Sequence, residues 1–112
     1  NILSLYKEAG FAMPKTDDTI NKSKNAKTTR QLLEKLVKDG ELIKITPAYY
    51  MHRECYENAL ELLKDFIQKN GSITLADFRT LMNSSRKYTQ MILEYFDSRH
   101  ITKLADDRRT LL

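Results

Sequence analysis

The sequence predicts a mainly α-helical protein with small β hairpins, built as two tandem copies of one plan. Three observations lead there. Apolar residues recur at helical spacing, as in Leu32, Leu33, Leu36 and Val37, where i, i+1, i+4 and i+5 fall on one helix face. Two pairs of short strand-like runs, each pair split by a turn, follow helical stretches, which is a hairpin signal. The two sets repeat at about 59 residues, a spacing that signals internal duplication: Leu36-Val37 aligns with Tyr95-Phe96, and Leu42-Ile43-Lys44-Ile45 with Ile101-Thr102-Lys103-Leu104.

The first copy opens with a helix over residues 2–9, ended by Gly10, a residue suited to the position just past a helix. Residues 13–27 turn polar, with Pro14, Asp17, Asp18, Asn21, Lys22 and Lys24, and are expected to form a loop holding a short helix around 19–24. Thr28 or Thr29 is expected to cap the next helix, which Gly40 stops. Leu42-Ile43-Lys44-Ile45, the turn Thr46-Pro47-Ala48 and Tyr49-Tyr50-Met51 make the first hairpin. Alternation along a strand puts one of Tyr49 and Tyr50 inside and the other in solvent.

The second copy starts with Tyr56, Ala59, Leu60, Leu63, Phe66 and Ile67 on one helical stripe, ended by Asn70-Gly71. Thr74 with Asp77 three residues on forms a capping box, and Ile73 can staple onto Phe78. That short helix is expected to send Leu75, Phe78, Leu81 and Met82 inward. After the turn Asn83-Ser84 comes a longer helix marked by Tyr88, Met91, Ile92, Tyr95 and Phe96, then strands at 101–104 and 108–112 around Ala105-Asp106-Asp107. Helix, short helix, helix and hairpin, in that order, make a winged-helix module: a helix-turn-helix with a β wing. The expected domains are residues 1–52, a scaffold or spacer, and residues 53–112, the module that binds.

Composition narrows the function classes. The chain has 112 residues, enough for one ordinary domain or two very small ones, and begins at Asn1 as if cut from a longer protein. Cys55 is the only cysteine, so no disulfide forms within the chain and a reducing compartment is expected. No apolar run reaches the length of a signal peptide or membrane helix. A soluble, cytoplasmic monomer is therefore expected. Nineteen Lys and Arg against 15 Asp and Glu leave a net charge of +4, a mild bias toward anionic partners.

Catalysis finds no support, and no metal or cofactor is expected in the chain itself. Gly-rich phosphate loops, a Gly-x-Ser-x-Gly elbow and metal-ligand clusters are all missing,. His52 and Cys55 stand three apart but read as a surface His and a partly buried Cys, short of the four ligands a zinc site needs. Asp106-Asp107 reads as a turn.

The informative stretch is Ser84-Ser85-Arg86-Lys87-Tyr88. Arg86 and Lys87 fall in the first turn of a helix, where the positive end of the dipole makes a cation cost about 0.3–1 kcal/mol. Two hydroxyls, two cations and the unbonded amides of a helix start together make a seat for a phosphate. Lys103, Arg108 and Arg109 form a second basic group on the wing, with Arg99 at the helix end and Arg79 on the short helix before it. Arg99 could instead complement the helix C-terminus, and Arg108 and Arg109 could simply protect a strand edge. Tyr88 reads as core. Lys27-Thr28-Thr29-Arg30 echoes the seat weakly, among Asp17, Asp18 and Glu34, and reads as scaffold.

Thr74-Leu75-Ala76-Asp77-Phe78-Arg79, Ser84-Ser85-Arg86-Lys87-Tyr88, Leu93-Glu94-Tyr95-Phe96-Asp97 and Ile101-Thr102 together resemble the last winged helix of the bacterial selenocysteine-specific translation elongation factor. Residues 42–50 and the helix through Leu63 look like the module before it. The resemblance implies a chain that binds a stem-loop in messenger RNA, the selenocysteine insertion element, and tethers the factor for UGA recoding. GTP with Mg and selenocysteinyl-tRNA would belong to the full-length protein, and the ribosome would be met through it. Ser85, Arg86 and Lys87 would hold phosphates near the hairpin loop, with Ser84 and Arg79 beside them. Lys103, Arg108 and Arg109 would grasp the opposite strand. Two departures stand out: Ala105-Asp106-Asp107 replaces the family's frequent Gly-Asp wing turn, and Ser98-Arg99-His100 is atypical. The rival readings are a DNA-binding regulator, inserting Lys87, Thr89, Gln90, Leu93, Glu94 and Asp97 into a major groove, and a protein-interaction winged helix, which needs no basic cluster.

Overall fold

The computed structural model describes all residues, 1–112. Six helices and five strands follow in the order α1 (Ile2–Ala9), α2 (Thr16–Asn21), α3 (Ala26–Lys38), β1 (Leu42–Thr46), β2 (Tyr49–His52), α4 (Arg53–Asn70), β3 (Ile73–Thr74), α5 (Leu75–Met82), α6 (Arg86–Ser98), β4 (Thr102–Ala105) and β5 (Arg108–Leu111). They divide into two compact units, Asn1–Tyr56 and Glu57–Leu112. The duplication holds, with its register moved by one residue through the helix and first strand: α3 and α6 each span 13 residues and start 60 apart, at Ala26 and Arg86. Val37 and Leu42 therefore correspond to Asp97 and Thr102, not to Phe96 and Ile101 as the sequence spacing of about 59 aligned them, and each helix leads into an antiparallel hairpin. The division falls inside α4, later than the boundary expected after residue 52. The first turn of α4 is tied to the first unit, through Arg53 N–H donating to the Glu41 carbonyl and an ion pair between Lys7 and Glu54.

In the first unit, Tyr6, Ile20, Leu33, Leu42 and Tyr50 form one apolar core, flanked by Ile2, Leu3, Leu36 and Val37. The Tyr6 hydroxyl satisfies its polarity by pairing with Thr19 Oγ1 at 3.0 Å. Four local expectations shift here. The short helix begins at Thr16 because that residue's N–H donates to the Ala48 carbonyl and Lys15 bridges to Tyr49, which fixes where the chain enters. Asn25, not Thr28 or Thr29, caps α3, accepting from Thr28 N at 3.0 Å; Thr29 is buried instead. Tyr49 and Tyr50 are both buried, because the ladder slips between Lys44 and Thr46 and breaks the simple alternation,. His52 is buried, with its Nδ1 accepting from Glu54 N–H at 3.1 Å.

In the second unit, α4 contributes Ala59, Leu63 and Ile67 to the core, and Phe78 meets Phe96 with ring centroids 6.2 Å apart. The capping box of Thr74 and Asp77 forms as expected, and Asn83 adopts the left-handed conformation that ends α5. Leu81, expected inside, is 37% exposed. Strand β3 was not anticipated, since two residues are too few to show alternation. It pairs with β5 and gives a three-stranded sheet of order β3-β5-β4. Asp106, at φ 58, makes the tight wing turn.

Candidate nucleic-acid interface

The start of α6 is anchored from below and open above. Ser85 caps the helix, its hydroxyl accepting from Tyr88 N at 3.4 Å. Its carbonyl accepts from both the N–H and the hydroxyl of Thr89, and Thr89 is fully buried. The cap is therefore pinned to the core while Arg86 and Lys87 extend from the first turn into solvent. That turn holds no acidic residue, no carboxylate pairs with Arg86, and the Lys87 ammonium lies 5.7 Å from the centroid of the Tyr88 ring. Arg79 braces the corner, donating from Nε to the Ser84 carbonyl at 3.3 Å. The amide of Ser84 returns a bond to the Arg79 carbonyl, which closes the turn before α6.

The wing separates its cations by face. Lys103 stands opposite Thr110, and Ala105 opposite Arg108, while Leu104 stands opposite Arg109. Successive side chains on a strand point to opposite faces, so Lys103 and Arg108 share the outer face and Arg109 turns inward. Arg108 is exposed and donates from Nη1 to Ser72 Oγ at 3.1 Å. Arg109 is a correction. Its side chain is only 6% exposed, and it grips Asp97 with Nε at 3.1 Å from both carboxylate oxygens and Nη2 at 2.9 Å from Oδ2. It cannot grasp an RNA strand while so engaged. Strand alternation across Arg108-Arg109 was the signal that separates the two. Arg99 caps the opposite end of α6, roughly 20 Å along the axis from Ser85 at about 1.5 Å per residue. A cation at that end of the helix is favourably placed relative to the dipole.

Two residues assigned to an open face of α6, Thr89 and Leu93, are buried. Among the surface positions that remain, Gln90 is tied to Glu94, donating at 2.9 Å. In the first unit, the corner between α2 and α3 carries Lys22, Lys24, Lys27 and Arg30, all exposed and none in an ion pair. The sequence pattern had assigned this corner to scaffold on account of nearby acids. Elsewhere, Cys55 donates weakly to the Lys7 carbonyl at 3.8 Å, and burial pushes its thiol pKa up.

Residues 65–111 match the family model described as elongation factor SelB, winged helix. The second unit is similar to SelB. A selenocysteine-specific elongation factor from Desulfomicrobium baculatum is 28% identical over 107 residues, covering 95% of this chain and 17% of that protein. The solved mRNA-binding domain of SelB from E. coli, in complex with SECIS RNA, superposes with a TM-score of 0.77 at 22% identity, over 96% of this chain and 93% of that one. A crystal structure of bacterial EF-Sec gives a TM-score of 0.82 at 16% identity, over 99% of this chain and 17% of that one. The expected resemblance to SelB and the tandem winged-helix fold both hold. The chain spans about a sixth of the curated relative's length, and no helix in it is long and apolar enough to cross a membrane.

Proposed function

We propose that this chain binds a stem-loop in messenger RNA and thereby tethers a SelB-type elongation factor for UGA recoding in the cytoplasm. The observation that carries this reading is the corner at Ser85, Arg86 and Lys87: a pinned cap, two outward cations and no acid in the first turn. A helix start leaves its first amides without intrahelical partners, so a phosphate oxygen seated there gains backbone donors and a guanidinium together. A-form RNA hides its base edges in a deep, narrow groove. A helix that meets RNA end-on, at the backbone near a loop, avoids that obstacle. Lys103 and Arg108 on the outer face of the wing supply the second set of phosphate contacts.

Within this reading the second unit is the binding module and the first is a spacer, whose corner at 22–30 adds positive potential. The chain acts as a monomer without catalysis of its own. GTP, Mg and selenocysteinyl-tRNA engage other parts of the full-length factor, which also meets the ribosome. A DNA-reading alternative is disfavoured by the burial of Thr89 and Leu93, which removes two of the side chains that would enter a groove.

The test is retardation by a pool of RNA stem-loops with a constant stem and randomised loop, against duplex DNA of equal length. Recovery of tight-binding stem-loops is expected, and a preference for the DNA would overturn the reading. Replacing Arg86 and Lys87 together with Ala should weaken stem-loop binding by a few kcal/mol and flatten its salt dependence by roughly 0.7–0.9 per lost contact. A protein-interaction module would show neither change.

A further inference from the structure

We infer that Asp97, Arg109 and Thr102 form a clamp that orients the wing relative to α6, making all three positioning residues for RNA binding; the inference rests on the RNA-binding reading above. Three elements meet at one carboxylate. Asp97 lies in the last turn of α6, Thr102 opens β4, and Arg109 sits on β5, the central strand of its sheet. Asp97 Oδ1 accepts from Thr102 Oγ1 at 2.6 Å while both its oxygens take the Arg109 fork.

This arrangement is not what a merely stable hairpin requires. A carboxylate in the last turn of a helix faces the negative end of the dipole, and a buried ion pair often contributes less than apolar residues of similar size. The first unit uses that apolar solution. At the corresponding places it has Val37 near the end of α3, Leu42 opening β1, and Tyr50 on β2, opposite the third residue of β1 as Arg109 is opposite the third of β4. Leu42 and Tyr50 are core residues there, and Val37 packs against them. Apolar contacts are non-directional, whereas a two-point guanidinium fork fixes both distance and angle. The polar set stands in the unit whose wing carries outward Lys103 and Arg108, immediately beside Arg109. Holding Arg109 inward holds Arg108 outward.

The clamp and a direct RNA contact by Arg109 differ in sign. If the groups acted only through charge, Asp97→Asn would remove a negative charge near the RNA and tighten binding, and Arg109→Lys would leave binding unchanged. A clamp predicts weakening in both. In the 112-residue chain, with the tightest stem-loop from the pool as probe, each should bind about tenfold more weakly, the loss expected for one misplaced charge-assisted contact. Nitrogen-15 relaxation of the free protein should show residues 103–108 losing order while 85–89 stay as they are. Thr102→Val, which spares the ion pair, should give a smaller change of the same kind and serves if Asp97→Asn does not fold. Native-strength binding by Asp97→Asn or Arg109→Lys, or a wing whose order is unchanged, would overturn the clamp. If the native chain binds no stem-loop, the RNA reading fails, and the relaxation comparison still decides the clamp.

Discussion

The two wings have the same topology and are held down by opposite means. In the first unit Leu42 and Tyr50 join Tyr6, Ile20 and Leu33 in an oily core. In the second, the corresponding positions are Thr102 and the Arg109–Asp97 pair. Apolar burial is worth about 25 cal/mol per Å2 whatever the angle of approach, so the first wing is stable without being finely aimed. An ion pair loses most of its gain to desolvation, so the second wing is aimed at some expense of stability. The difference extends to the sheets. The first unit has a single bridge, Lys15 to Tyr49, where the second has a paired strand, Ile73 and Thr74 against Arg109 and Arg108. The unit with the proposed phosphate seat is the one whose wing is fixed by direction-sensitive bonds.

The strongest challenge to this contrast is to give the second wing the first wing's residues. Asp97→Ala alone should cost about 3 kcal/mol in urea unfolding, because it leaves Arg109 buried without its partner. The triple change Asp97→Val, Thr102→Leu and Arg109→Tyr should restore stability to within about 1 kcal/mol of native while stem-loop binding stays weak. A triple variant no more stable than the single one would show that the two wings are not interchangeable.

A smaller effect separates the two helix starts. Asn25→Ala and Ser85→Ala each remove a cap that accepts from the third amide of its helix, and each should cost about 1 kcal/mol, read by hydrogen exchange within its own unit. Only Ser85→Ala is expected to weaken RNA binding as well. Equal effects on RNA would erase the functional distinction between the two corners.

The smallest effect concerns acid. Lys7 beside Glu54, at 3.0 Å, holds the Glu54 carboxyl below its ordinary value. A depressed carboxylate stabilises the fold above the unfolded pKa, and that contribution fades as pH falls through the folded one. Both groups are well exposed. Lys7→Met should therefore slightly lower the melting temperature at neutral pH and leave it unchanged well below pH 4.5, the ordinary glutamate value. A variant that melts like the native chain at neutral pH would remove the ion pair as a reason for α4 starting in the first unit.

Sequence alone determined the duplication, the order of elements in each copy apart from β3, and the corner at Ser85, Arg86 and Lys87. These are local properties: helical spacing, Gly and Asn stops, a capping box and charge placed at a helix start each involve residues a few positions apart. Tertiary structure decided what depends on a distant partner. Arg109 looked like a free cation because Asp97 lies twelve positions away on another element. Tyr49 and Tyr50 looked alternately exposed because a slipped ladder leaves no mark in composition. His52 looked like a surface residue because its cross-strand partner, Leu42, lies ten positions away in the chain. Burial and ion pairing are set by contacts across the sheet and between elements, and a one-dimensional pattern holds no record of which charge a given charge will meet.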